Sequence, residues 1–234
     1  MKSFIRFGHP GVVPGLPRSD EVHIWQISLR DGDPEALLIH LTTEEQQRAC
    51  RLRLDRVRRQ FIAARAGLRQ ILGGYVDRPA AEVSIRTTAT GRPELADPVG
   101  EGIDFNLTHS ESVGLVAVSG SGRVGIDVEC VREIAERDNL VRRFFAPAEC
   151  DRFFGLAIAD RQEAFFQAWT RKEAILKAVG RGVQSLDCCE VGFGPGCEAS
   201  VRRLDDDRAA HLRWQMHVWE PLAGYRAAVV AENG

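Results

Sequence analysis

Apolar and polar positions alternate from Val22 to Leu29, which predicts a strand with Val22, Ile24 and Gln26 on one face and Trp25, Ile27 and Leu29 toward the other. Ahead of it, the first twenty residues carry Pro10, Gly11, Pro14, Gly15 and Pro17 and are expected to form an irregular lead-in. Thr42 or Thr43 followed by Glu44 and Glu45 reads as a helix start. The periodic segment behind it runs to about Tyr75 as two helices or one broken one, ended by Gly73-Gly74. A short strand near Val83 to Thr87, a turn at Gly91-Arg92-Pro93 and a strand near Ile103 to Leu107 come next.

The runs Val113–Val118 and Val124–Glu129, joined through Ser119-Gly120-Ser121-Gly122, read as a hairpin. Gly120-Ser121-Gly122-Arg123-Val124-Gly125 spells the dinucleotide fingerprint, but a strand follows where that motif requires a helix, so a Rossmann site is rejected. Helices are expected over 132–144, 147–155 and 159–179. The last has a buried stripe of Phe165, Phe166, Trp169, Leu176 and Val179. A closing hairpin is expected from Leu212 to Trp219 and Tyr225 to Ala231. This pattern predicts an α+β fold of two comparable lobes, 21–112 and 113–234 after the 1–20 lead-in, with any chemistry at their seam.

At 234 residues and 44% hydrophobic, the chain can bury one large core or two small ones. A formal net charge of −2 argues against wholesale nucleic-acid affinity. No apolar run approaches the ~20 residues of a membrane span, and Met1-Lys2-Ser3-Phe4-Ile5-Arg6 lacks a signal core, so the expected location is the cytoplasm. The six cysteines (Cys50, Cys130, Cys150, Cys188, Cys189 and Cys197) form no CxxC pair and no zinc-finger spacing, and read as reduced thiols.

Candidate chemistry concentrates in two runs. In Gly125-Ile126-Asp127-Val128-Glu129 the two carboxylates leave one face of a strand. In Trp169-Thr170-Arg171-Lys172-Glu173-Ala174-Ile175-Leu176-Lys177, Glu173 and Lys177 lie one helical turn apart. Each pair alone has an ordinary reading, a wet strand face or a solvated ion pair. Two features weigh against that reading: the strand acids sit among apolar neighbours, and the chain holds 28 arginines but only three lysines, two of them in this helix. A compact ammonium is wanted there. Carboxylates meeting a lysine suit a hard divalent cation and a phosphate.

With Phe105-Asn106-Leu107-Thr108-His109-Ser110, Phe144-Phe145 and Ala178-Val179-Gly180-Arg181-Gly182 added in order, the chain resembles the 4'-phosphopantetheinyl transferases of the surfactin-synthetase-activating type, over roughly residues 40 to 232. Thr108 stands where many members carry Ser, and Arg171 at a variable position. The resemblance implies two similar α+β lobes joined as a pseudo-dimer in one chain, with coenzyme A in the cleft between them. It implies transfer of the 4'-phosphopantetheine arm to a serine hydroxyl of an apo acyl or peptidyl carrier protein, leaving adenosine 3',5'-bisphosphate.

On that footing Asp127, Glu129 and Glu173 would hold Mg2+, with Mn2+ also acceptable. Glu173 would take the serine proton directly or through water, and Lys177 would reach the pyrophosphate. Thr108 and His109 would meet coenzyme A phosphates, Gly91, Arg92 and Pro93 would line the adenine side, Arg48 would contact the 3'-phosphate, and Arg65 is a further candidate. No nucleic acid, membrane or second copy is expected as a partner. Two other readings exist. A metal-dependent nucleotide pyrophosphate hydrolase lacks a water-activating histidine cluster here, and an RNA-binding module on the arginines from Arg48 to Arg69 lacks interleaved aromatics.

Overall fold

In the computed structural model, which describes residues 1–8, 15–96 and 102–233, the N-terminal apolar runs assemble into a four-stranded sheet. β1 (Ser3–Phe7) lies parallel to β2 (Glu21–Ser28). A single turn, α1 (Pro34–Leu37), leads to α2 (Thr43–Arg51), which opens on a reciprocal cap: the Thr42 hydroxyl accepts from Glu45 N–H, and the Glu45 carboxylate from Thr42 N–H. α3 (Asp55–Val76) is followed by a small hairpin, β3 (Ile85–Thr87) and β4 (Pro93–Leu95), then by β5 (Asp104–Ser110) and β6 (Val113–Ser119). The sheet order is β1-β2-β6-β5.

The second half starts with β7 (Val124–Cys130) and continues through α4 (Arg137–Phe144), α5 (Pro147–Gly155) and α6 (Ile158–Ala178). A two-stranded ribbon, β8 (Cys189–Val191) and β9 (Val201–Leu204), and a short α7 (Ala210–Arg213) precede β10 (Trp214–Trp219) and β11 (Tyr225–Glu232). The second sheet has the order β10-β11-β7.

Both sheets are buried on two faces, and this sets the architecture. Trp25, Ile27 and Leu29 at the β2 end of the first sheet pack with Ala64, Leu68 and Leu72 of α3. The opposite face, with Val22, Ile24, Leu115 and Ala117, packs on Ile126 and Val128 of β7 and Ala227 and Val229 of β11. Ala228 and Val230, on the far face of the second sheet, meet Ala174, Ile175 and Ala178 of α6. The result is an α+β fold in four layers, α3, sheet, sheet and α6. Among the described residues no helix is long and apolar enough to cross a membrane.

Several expectations are corrected. Ser3–Phe7 is a strand and not irregular, because Phe7 stacks on Trp25 and Phe4 packs into the inter-sheet core; Pro10, Gly11 and Pro14 lie outside the described residues. β6 and β7 are not a hairpin. β6 pairs with β2 and β5, whereas β7 pairs with β11, and the chain crosses from sheet to sheet in the turn between them. The expected lobe boundary at 112/113 therefore falls between two paired strands. Gly73 and Gly74 do not stop α3, which runs to Val76 and ends at Asp77 with a φ of 50°. The helix expected from 132 begins at Arg137, since Val131 still donates to the carbonyl of Gly224 as an extension of the strand pair.

Candidate functional site

β5 carries a polar side chain at every second position, and this row seals the edge of β7. Asp104 accepts from Val124 N–H (2.7 Å), Asn106 from Ile126 N–H (3.0 Å) and Ser110 from Cys130 N–H (3.1 Å). Side chains thus satisfy backbone donors that a neighbouring strand would otherwise take. The fourth member of the row, Thr108, donates to Asp127 Oδ1 (3.0 Å), and the Ser110 hydroxyl donates to Glu129 Oε2 (3.0 Å). The alternation Asp104, Asn106, Thr108, Ser110 was the available sequence signal for these supporting residues, and reading β5 only through Leu107 missed it.

On β7, Gly125, Asp127 and Glu129 share the face toward α6. A Cβ at Gly125 would run into the Ala174 carbonyl and the Ala178 backbone, so glycine lets the helix come close. That approach brings Lys177 Nζ to 2.5 Å from Asp127 Oδ1, 3.1 Å from Thr108 Oγ1 and 3.7 Å from Glu173 Oε2. Asp127 is only 3% exposed, and its Oδ2 has no hydrogen-bond partner among the described residues.

The electrostatics follow from this crowding. Burial pushes the Asp127 carboxyl up against the pull of Lys177. Burial and then Asp127 push Glu129 up. Glu173 is pushed up to about 7, first by burial and then by Asp127, with Lys177 acting in the opposite sense. Burial alone would lower Lys177, but Asp127 and Glu173 outweigh it and raise it. Glu173 is therefore partly protonated at neutral pH.

Among the described residues no three His, Cys, Asp or Glu side chains close into a finished metal cage. The donor set nevertheless fits a hard cation. Three carboxylates gathered so that Asp127 raises the pKa of both Glu129 and Glu173, one of them with a bare buried oxygen, suit an open oxygen site that leaves further positions to water or substrate.

The remaining candidates divide. His109 lies within β5 and not after it, exposed on one side; partial burial and then the charge of Lys177 hold its pKa below the usual value. Gly91 takes a φ of 84° in the β3–β4 turn, a conformation suited to glycine, and Pro93 opens β4. Arg92 borders a cleft of about 280 Å³ with Thr88, Thr90, Asp104 and Val179, but its guanidinium is turned inward. The Gly91-Arg92-Pro93 turn thus borders this cleft while the Arg92 guanidinium is bound within the protein. Arg48 is exposed, with its guanidinium over the Phe61 ring, and Arg65 is ion-paired to Glu45. Both line a separate groove of about 640 Å³ whose walls include none of the three site carboxylates.

Lysine scarcity drew attention to both lysines of α6, but of the three lysines only Lys177 is in this site. Lys172 is wholly buried against Glu149 (2.5 Å) and the Cys189 carbonyl, and Lys2 is held by the carbonyls of Ser19 and Ser121.

Comparison with known proteins agrees with the resemblance. The sequence model of the 4'-phosphopantetheinyl transferase superfamily matches residues 123–230. The 4'-phosphopantetheinyl transferase HetI of Nostoc sp. is 38% identical over 180 residues, 76% of this chain and 76% of that protein. The 4'-phosphopantetheinyl transferase psf-1 of Bacillus pumilus is 28% identical over 184 residues, 78% of this chain and 72% of its own length. Among solved structures, the holo-[acyl-carrier-protein] synthase of Thermotoga maritima aligns with a TM-score of 0.35 and 17% identity, covering 47% of this chain and 62% of that one.

Proposed function

This chain belongs to the 4'-phosphopantetheinyl transferase superfamily, and we propose that it moves the 4'-phosphopantetheine arm of coenzyme A onto a serine hydroxyl of an apo acyl or peptidyl carrier protein. The observation that carries this reading is the meeting of Asp127, Glu129, Glu173 and Lys177 between β7 and α6, with Asp127 Oδ2 left bare. Such a constellation serves phosphoryl transfer, where positioning and charge stabilisation supply most of the rate.

In the transfer, the serine oxygen forms a bond to the phosphorus on the pantetheine side of the pyrophosphate. The bond from that phosphorus to the bridging oxygen breaks, and adenosine 3',5'-bisphosphate leaves. Glu173, raised to about 7, would take the serine proton, directly or through a water. Lys177 offers positive charge to the leaving phosphate, and Thr108 fixes Asp127 through the hydrogen bond to Oδ1. Mg2+ or Mn2+ held by Asp127, Glu129 and Glu173 would supply Lewis-acid charge to the pyrophosphate. His109 lies beside Thr108 and Lys177 and adds a donor for phosphate oxygens. The cleft beside Gly91–Pro93 suits the adenine side, and Arg48 suits the 3'-phosphate at its groove.

The two sheet-and-helix halves act in this reading as internal counterparts, so a single chain builds the whole cleft and a monomer is expected in sedimentation. The deciding experiment is intact-mass spectrometry of apo carriers incubated with the protein, coenzyme A and Mg2+, against a metal-free control. A gain of one phosphopantetheine that requires metal supports the reading. Coenzyme A cleaved with every carrier unmodified would replace it with pyrophosphate hydrolysis.

A further inference from the structure

We infer that Arg92 is a positioning residue: paired with Asp104, it holds the start of β7 and the end of α6 in register, so that the Lys177 ammonium stays on Asp127. The consequence for catalysis rests on the transfer reaction proposed above; the placement itself stands on the geometry.

The Arg92 side chain is 12% exposed, and both terminal nitrogens are spent inside the protein. Nη1 donates to the carbonyl of Lys177 and, at 3.4 Å, to that of Ala178. Nη2 donates to Asp104 Oδ2 (2.6 Å), to the Val124 carbonyl (2.9 Å) and to the Phe105 carbonyl (3.2 Å). Asp104 Oδ2 in turn accepts from Val124 N–H (2.7 Å). The pair therefore gives the first residue of β7 one donor and one acceptor, as a neighbouring strand would. Asp127 lies three residues along the same strand.

At α6 the contact falls on the final carbonyls, which form the negative end of its dipole; that of Lys177 also accepts from Gly180 N–H (3.2 Å). Lys177 is thus gripped twice, by Arg92 at its carbonyl and by Asp127 at its ammonium. A guanidinium is required, because a single lysine nitrogen cannot reach helix carbonyls, carboxylate and strand carbonyl together.

The test compares Arg92→Lys and Asp104→Asn with the wild type. Loss of register lowers kcat for carrier modification by on the order of tenfold to a hundredfold. KM for coenzyme A stays within about twofold, since the Arg92 guanidinium and Asp104 are engaged with each other and with the backbone. An independent readout needs no substrate: acylation of Lys177 by an amine-reactive ester, followed by peptide mass spectrometry, with enclosed Lys2 and Lys172 as internal references. Faster labelling of Lys177 in both variants is expected. A rise in KM with kcat and labelling unchanged would make Arg92 a ligand contact and overturn the inference, as would two variants that match the wild type in every readout. If Arg92→Lys does not fold, Asp104→Asn alone decides by the same measurements. A wild-type protein that modifies no carrier sinks the transfer reading, while the labelling result still decides the placement.

Discussion

Asp127 is buried on a strand with one oxygen bound by Thr108 and Lys177 and the other bare, so its replacement removes a site whose neighbours were arranged around it. Asp127→Asn is expected to lower carrier modification by more than the roughly 10–100-fold typical of losing an outer-shell partner of a metal ligand. Thr108→Val, which removes only such a partner, should fall within that range. Single-turnover transfer assays at saturating coenzyme A measure both, and a Thr108→Val loss equal to that of Asp127→Asn would contradict the assigned order. Glu173 sets a pH dependence. Its pKa is about 7 in the fold against 4.5 for the free group, so between those values the folded state holds a proton that the unfolded state has released. Stability therefore falls as pH rises from about 4.5 to about 7. Thermal unfolding of metal-free protein across that window should show the decline, and Glu173→Gln should flatten it. Added Mg2+ should stabilise most at the upper end, where it no longer competes with the proton.

The two elements that meet at the site are held by small residues and by buried charge. Gly125 lets β7 touch α6, and Gly125→Ala would press a methyl against the helix backbone. A cost of about 1–3 kcal/mol is expected by urea unfolding, together with a loss of transfer activity because Lys177 moves off Asp127. α6 is also locked to α5 and β8 by Lys172, whose ammonium meets Glu149 while the other Glu149 oxygen accepts from Val191 N–H. Lys172→Met leaves a buried carboxylate unpaired and should cost about 3–5 kcal/mol by the same measurement. Lys172→Met combined with Glu149→Leu should recover part of that loss. Helical spacing in the sequence put Glu173 and Lys177 on one face, and the buried, Glu149-paired setting of Lys172 could not be told from theirs. Which of two lysines five residues apart becomes the site depends on what packs against each side of α6.

Between the two sheets runs one continuous apolar layer, with Val22, Ile24 and Leu115 from one and Ile126, Val128 and Val229 from the other. Separating the halves would expose that layer, so a single cooperative unfolding transition is expected, with calorimetric and van't Hoff enthalpies in agreement. Two resolved transitions would show that the halves fold independently. The sequence by itself determined the faces: period-two alternation placed Val22 and Ile24 opposite Trp25 and Ile27, and the spacings 127/129 and 173/177 put four charged groups on two surfaces. These are local properties of backbone geometry, and the residues alone carry them. Only the tertiary structure decided that β6 and β7 part into different sheets, that the polar row of β5 closes the edge of β7, and that Arg92 is turned inward. Strand partners and the acceptors around a guanidinium are set by packing between segments distant in the chain, and no local pattern encodes that.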